Sequence, residues 1–463
     1  MPQSLHDAFA ATPALSQAMG EEALIAGVFA FESALARAQG EAGVIPEAAA
    51  AVIAEAADEM TVAPADVAQD AARAGALTIP LVKLLIRDVR ERDADAAGFV
   101  HFGATSQDAL DTALVLQLDW ACALIDADLA RLAAASARLA EDHRATLMTG
   151  RTLMQAATPV AFGAKAAQWL LGACEDRERL RAAASDGLRI QFGGAAGNLG
   201  SLGERGPAIA ARLAALLPLR FAPASAPPVP WHTRRGGLMN LCAALAIAAG
   251  SAAKIARDVA LMAQWEVGEL AEPPEPGRGV SSAMPHKRNP VRCLTTLAAG
   301  VRVPHLMGTL LSGMVQEHER ALGGWQAEWA ALPDLVKAAG AAIANMADAL
   351  EGLIVNPDRM RANLDSLRGL PLTEVAALAL SPHIGRDEAH AVLTRAAQHA
   401  VETGASLADA LLREPAAMEH LGAEGIARAL DPANALGASD AIIDHALVVW
   451  RAQQEAFNQG EKA

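Results

Sequence analysis

The chain has 463 residues, of which 52% are hydrophobic and only 3% aromatic, with no tyrosine and a formal net charge of −15. That length exceeds one ordinary hydrophobic core, and the acid surplus argues against nucleic acid or an anionic membrane as partner. The apolar residues are mostly Ala, Leu and Val. Alanine favours helix and the β-favouring aromatics are scarce, so the composition points to an all-α protein.

Residues 1–98 are expected to form an N-terminal helical domain, with turns at Gly43-Val44-Ile45-Pro46 and Ile79-Pro80. Its opening stretch, MPQSLHDAFAATPAL, has neither a basic nor an apolar leader region, which predicts a cytoplasmic protein. Residues 99–350 are expected to hold a central bundle of long helices. There, Leu118, Cys122, Ile125, Leu129, Leu132, Ser136 and Leu139 recur at steps of four and three, and so do Leu241, Leu245, Ala248, Ala252, Ile255, Val259 and Met262. Such spacing is the seam of helices packed at a shallow angle. The apolar run at 238–262 carries Asn240, Lys254, Arg257 and Asp258, which fits a buried bundle helix better than a membrane span. A break at Val355-Asn356-Pro357 opens a C-terminal helical domain, 351–463, punctuated by Gly369, Pro371 and Ser381-Pro382. No window alternates as a strand should. Cys122, Cys174, Cys242 and Cys293 are scattered and read as core residues rather than disulfide partners or metal ligands.

Five stretches carry candidate chemistry. In VHFGATSQDALDTALVLQ, Thr105 and Asp108 suit a capping box, which sets Thr105, Ser106 and Gln107 at a helix N-terminus that favours an anion. His101 just upstream is an acid/base candidate, although a lone histidine is more often structural. In TGRTLMQAATPVAFGAKAAQWL, Arg151, Thr152 and Gln155 precede a helical pattern and by themselves read as a loop. QFGGAAGNLGSL lacks dinucleotide spacing and fits a turn at a pocket mouth. In GRGVSSAMPHKRNP, Gly277 and Gly279 give freedom, Asn289 and Pro290 suit the start of a helix, and His286, Lys287, Arg288 and Arg292 make a local positive patch. Distant acidic charge is screened over roughly 8 Å at physiological salt, so this patch decides what binds there, with Ser281 beside it. In MVQEHERALGGWQAEWAALP, Arg320 lies in a helical pattern beside two core tryptophans, and either reaches an anion or pairs with a nearby glutamate.

These residues resemble a known family. SSAMPHKRNP is similar to the signature loop of the fumarase/aspartase superfamily, and HFGATSQDALDT and GRTLMQAATP resemble its two other shared regions in the expected order. LRIQFGGAAGNLGSLG, PWHTRRGGL and QEHERALGGWQAEWAALP bring the resemblance nearest to its cycloisomerase branch, which lactonises an unsaturated tricarboxylate. The resemblance implies three helical domains, a homotetramer with active sites shared between subunits, a small polycarboxylate substrate, and neither metal nor cofactor. By position, Ser281 matches the serine that exchanges the α-proton, and Lys287 and Asn289 match residues that hold the substrate carboxylate. Thr105, Ser106 and Gln107 match anion contacts, Thr152 and Gln155 match substrate contacts, and His101 matches a histidine of the adenylosuccinate lyase branch. Arg151, Ser282, Met284, His286, Arg288 and Arg320 join the expected substrate-binding set. The sequence departs from the lyases at Leu153, where a histidine is common, and at Ala156. A lyase that expels an amine gains from a general acid, whereas a carboxylate that adds or leaves needs none. The alternatives are an adenylosuccinate-type C–N lyase, or an inactive, crystallin-like structural protein on the same scaffold.

Overall fold

The computed structural model describes residues 5–222 and 229–460, and both periodic stretches are helical in it. Six helices organise the chain: α1 (Glu21–Glu41), α2 (Ser106–Asp142), α3 (Phe162–Gly187), α4 (Gly236–Met262), α5 (Val291–Ser312) and α6 (Gly324–Glu351). The seam of α2 is buried throughout, with Leu118, Cys122, Ile125 and Ser136 at 0% exposure. The α4 seam is also buried, from Leu241 to Met262, although this helix is long and apolar enough to cross a membrane. Each fully buried Leu or Ile side chain contributes about 1.5–3 kcal/mol, so these seams dominate the stability of the bundle. Small residues set the helix spacing. A Cβ on Gly340 of α6 would come within 2.4 Å of Leu15, and one on Gly27 of α1 within 2.9 Å of Ala113 on α2.

The chain gathers into two units made of interleaved stretches: Met1–Leu129, Glu175–Ala253 and Thr295–Asn345 form one, and Ala130–Cys174, Lys254–Leu294 and Met346–Ala463 the other. The first unit contains a buried ionic knot. Arg235, 1% exposed, meets the carboxylates of Asp111 from α2 and Glu328 from α6, and its guanidinium lies 4.6 Å over the Trp231 ring. Burial pushes the Glu328 carboxyl up, and Arg235 offsets part of that rise. Removing one member of such a knot leaves an uncompensated charge, costing about 3–5 kcal/mol. In the second unit, Leu380, Val392, Leu393, Leu407, Leu411 and Ile426 form a separate apolar cluster.

The expectation of no strands needs correction. Leu147–Thr152 (β1) and Gln155–Ala161 (β2) pair as an antiparallel hairpin, and Leu270–Ala271 (β3) pairs with Ile354–Val355 (β4). The two-residue turn of the first hairpin, Leu153-Met154, has φ of 50° and 65°. Asn-Gly is the usual sequence for such a turn, so Leu-Met gave no hairpin signal. All four cysteines are buried and form no disulfide, and burial pushes the Cys242 thiol up to about 12.

Candidate active site

In the first unit the site is built at the start of α2. Thr105 precedes the first helical residue, and its N–H donates 3.0 Å to Asp108 Oδ2, which is one half of the expected capping box. The other half is absent. Thr105 Oγ1 instead accepts a 2.8 Å hydrogen bond from Arg320 Nη1. Asp108 is fully buried and accepts more: Gly193 N–H and Gly194 N–H at 2.9 Å each, while His232 Nε2 lies 2.7 Å from Oδ1. One carboxylate therefore ties the helix start to the glycine-rich turn and to His232. Gly194 and Gly197 of that turn have φ of 70° and 74°, where a side chain would be strained.

Arg320 lies outside any helix, contrary to expectation. The segment between α5 and α6 turns, with His318 at φ 47°, because Gly313 and Gly324 pack backbone to backbone. Besides Thr105, Arg320 donates to the Ala195 carbonyl at 3.0 Å, while its Nε is buried without a partner. No carboxylate among the described residues pairs with it, so its charge stays available to an anion at the α2 N-terminus. Ser106 is half-buried beside it. Gln107 does not join this surface. It is fully buried, and its amide donates to Asp111 at 3.1 Å and to the His232 carbonyl at 3.0 Å. The expected anion contact is thus a strut beneath the site.

His101, at φ 58°, places Nδ1 2.5 Å from Glu32 Oε1 of α1. Burial disfavours its charged form, but the charge and hydrogen bond of Glu32 outweigh that, with Asp108 adding, so its pKa is raised. The Glu32 carboxylate therefore favours the charged imidazole, in the segment just upstream of Thr105.

In the second unit, Thr152 and Gln155 face each other across the hairpin turn, and both are exposed. Leu153 and Met154 between them are 97% and 71% exposed. Arg151 is committed elsewhere: its guanidinium forks onto Glu269 at 2.8 and 2.7 Å, and Glu269 also accepts from Asn363 at 2.9 Å. It fastens the hairpin, leaving Thr152 and Gln155 as its presented polar groups.

The 277–290 loop closes at its neck. Asn289 donates its N–H at 2.9 Å and its side-chain amide at 3.3 Å to the Gly279 carbonyl, and Val280 bridges to Arg288. Gly279 has φ 70°, and a Cβ there would lie 2.5 Å from the Asn289 carbonyl oxygen. The α5 start also differs from expectation. The helix begins at Val291, and Glu272, not Asn289, caps it by accepting Arg292 N–H at 3.2 Å and Cys293 N–H at 2.8 Å. Arg292 turns inward to Glu275 at 2.6 Å and leaves the positive patch to His286, Lys287 and Arg288. Those three, with Ser282 and Met284, are exposed, and His286 stands edge-on to the exposed Trp265 at 6.3 Å. Ser281 Oγ accepts the Met284 N–H at 3.1 Å. A hydrogen bond to the hydroxyl oxygen stabilises negative charge on it.

Sequence reasoning missed His232, Glu32 and Glu269. The stretch PWHTRRGGL drew notice only as part of a resemblance, and neither glutamate stands in any motif.

The family model described as Lyase matches residues 5–304, and that described as Adenylosuccinate lyase C-terminus matches 369–446. A 3-carboxy-cis,cis-muconate cycloisomerase of Bradyrhizobium diazoefficiens is 44% identical over 434 residues, covering 94% of this chain and 95% of the relative. A nitrosuccinate lyase of Streptomyces davaonensis is 42% identical over 444 residues, covering 95% and 93%. The crystal structure of 3-carboxy-cis,cis-muconate lactonizing enzyme from Pseudomonas putida superposes with a TM-score of 0.90 at 39% identity, covering 98% of this chain and 100% of that one. Sequence match and all-α architecture agree: the chain belongs to the lyase family, within the fumarase/aspartase superfamily.

Proposed function

We propose that this protein is a cycloisomerase that lactonises 3-carboxy-cis,cis-muconate to a carboxymuconolactone, a step in aromatic compound breakdown. The observation that carries the reading is the Leu153 hairpin tip. It offers no general acid where elimination of an amine would need one, and an attacking or leaving carboxylate needs none. One substrate carboxylate adds across a conjugated double bond, and charge builds on the carbon α to another carboxylate as an aci-carboxylate. Ser281 delivers the proton to that carbon, while Lys287 and Asn289 of the same loop stabilise the charge. Arg320, Thr105, Ser106 and the α2 N-terminus hold a further carboxylate, and His101 adds positive charge. Thr152 and Gln155 contact substrate from the hairpin. Closing the loop at its Gly279 neck excludes water from the intermediate.

The working form is a cytoplasmic homotetramer with active sites shared between subunits, and it requires no cofactor. The exposed apolar residues Leu153, Met154, Trp265 and Val280 support burial against other subunits.

The relative named for nitrosuccinate favours one second reading: elimination of nitrite, another leaving group that departs as an anion without a proton. Incubating the protein separately with 3-carboxy-cis,cis-muconate and nitrosuccinate, and following ultraviolet absorbance and released nitrite, separates the two. Loss of diene absorbance that disappears in Ser281→Ala is expected. Nitrite release without any diene consumption would overturn the cycloisomerase reading.

A further inference from the structure

A cavity of about 300 Å³ lies in the first unit between α1, α2 and α6. That is the lower end of the range in which proteins hold small molecules. Thr105, Ser106 and Arg320 are not among its walls. Helical spacing explains how it forms. Leu110, Leu114 and Gln117 recur on one face of α2, and Trp325, Trp329 and Pro333 on one face of α6, so two stripes confront each other. Leu24 and Leu77, both partly buried, pack against the same cluster. The indoles of Trp325 and Trp329 meet edge to face, 5.1 Å apart at 86°. Trp325 commits its N–H to Asp111 at 3.2 Å, so the rest of its ring is an apolar wall.

The charge around this apolar space is unbalanced. Asp111 and Glu328 share the one guanidinium of Arg235. Asp334 meets Lys337 at 3.1 Å and Arg302 at 3.8 Å, but Lys337 also lies 3.5 Å from Asp7. Glu21 lines the cavity from the first turn of α1, is exposed, and has no ion-pair partner among the described residues. Carboxylates therefore outnumber cations at the cavity, and the excess is held closest to solvent at Glu21.

We propose that this cavity is a second binding site, which takes a small organic ammonium ion with an apolar body: the carbon frame lies among Leu110, Leu114, Trp325 and Trp329, and the charge points to Glu21. Burial of the frame supplies attraction that any apolar guest would share. The charge decides among guests. An anion is repelled by the excess of carboxylates, an uncharged guest gains nothing from them, and a cation gains from them and tolerates an indole beside it better than any other group does. The assignment is independent of the proposed lactonisation, whose anion site lies at Arg320.

The test is calorimetry at pH 7 with three probes that share one ring and differ in charge: benzylammonium, benzyl alcohol and benzoate. Leu114→Phe adds volume to the wall, so the binding that it removes belongs to the cavity. The full-length protein is expected to bind benzylammonium there roughly 5- to 20-fold more tightly than benzyl alcohol, and to bind no benzoate there. Added salt narrows the gap between the first two. Glu21→Gln, an exposed change with little bearing on folding, weakens benzylammonium roughly three- to tenfold and leaves benzyl alcohol within about twofold. Equal affinity for benzylammonium and benzyl alcohol in wild type overturns the assignment without recourse to any variant. So does benzoate binding that Leu114→Phe abolishes, or benzylammonium binding that survives Leu114→Phe undiminished. An unchanged benzylammonium affinity in Glu21→Gln overturns it too, as does the failure of all three probes to bind.

Discussion

Gly279→Ala probes the loop neck with little else disturbed. Two penalties add. At φ 70° a residue with a Cβ costs about 1–2 kcal/mol. The new Cβ would also lie 2.5 Å from the Asn289 carbonyl oxygen, which forces the two strands of the neck apart. That separation endangers the 2.9 and 3.3 Å hydrogen bonds from Asn289 to the Gly279 carbonyl, each contributing about 0.5–1.5 kcal/mol net. Together the closed neck loses about 2–5 kcal/mol, and if closure precedes chemistry, kcat/KM falls roughly 30- to 5000-fold. The residues from Ser282 to Arg288 are exposed, so the thermal unfolding midpoint should barely move. The assay is steady-state loss of diene absorbance, paired with a thermal melt and amide exchange across the loop. A variant with unchanged melting and kcat/KM within threefold of wild type would show that the closed neck has no part in turnover.

Glu32→Gln removes the carboxylate behind His101. Because the folded pKa of His101 is raised, the pair contributes stability that is complete below the ordinary histidine value of about 6.5 and is lost as pH rises through the raised value. The variant should therefore be less stable by about 1.5–3 kcal/mol near pH 6 and approach wild type under alkaline conditions, as read by urea denaturation. An equal deficit at both pH values would contradict the ion pair. Arg320→Met removes the cation at the α2 N-terminus and should raise KM for the tricarboxylate about 10- to 100-fold, the loss expected for a charge-assisted hydrogen bond. Unchanged KM and kcat would take Arg320 out of the site.

Local sequence carried the fold class and much of the presented chemistry. A seam such as Leu118 to Leu139 is legible because each member lies within one or two helical turns of the next, and burial then follows from the period alone. The loop GRGVSSAMPHKRNP was legible for the same reason: glycines, serine and cations stand in one short stretch. The Leu153-Met154 turn was not, since its residues carry no turn preference and the strand pairing holds them in place.

Tertiary structure decided which charges are available and which are occupied. Arg151 and Arg292 look as free in the sequence as Arg320, yet Glu269 and Glu275 neutralise the first two, while among the described residues a hydroxyl and a carbonyl alone meet the third. The partners of the acid/base groups are distant in the chain: 69 residues separate His101 from Glu32, 124 separate His232 from Asp108, and 215 separate Arg320 from Thr105. Periodicity and motif spacing describe neighbours along a helix or loop. They hold no information on which helix start a distant arginine will meet, because that is set by how buried faces pack once the chain has folded.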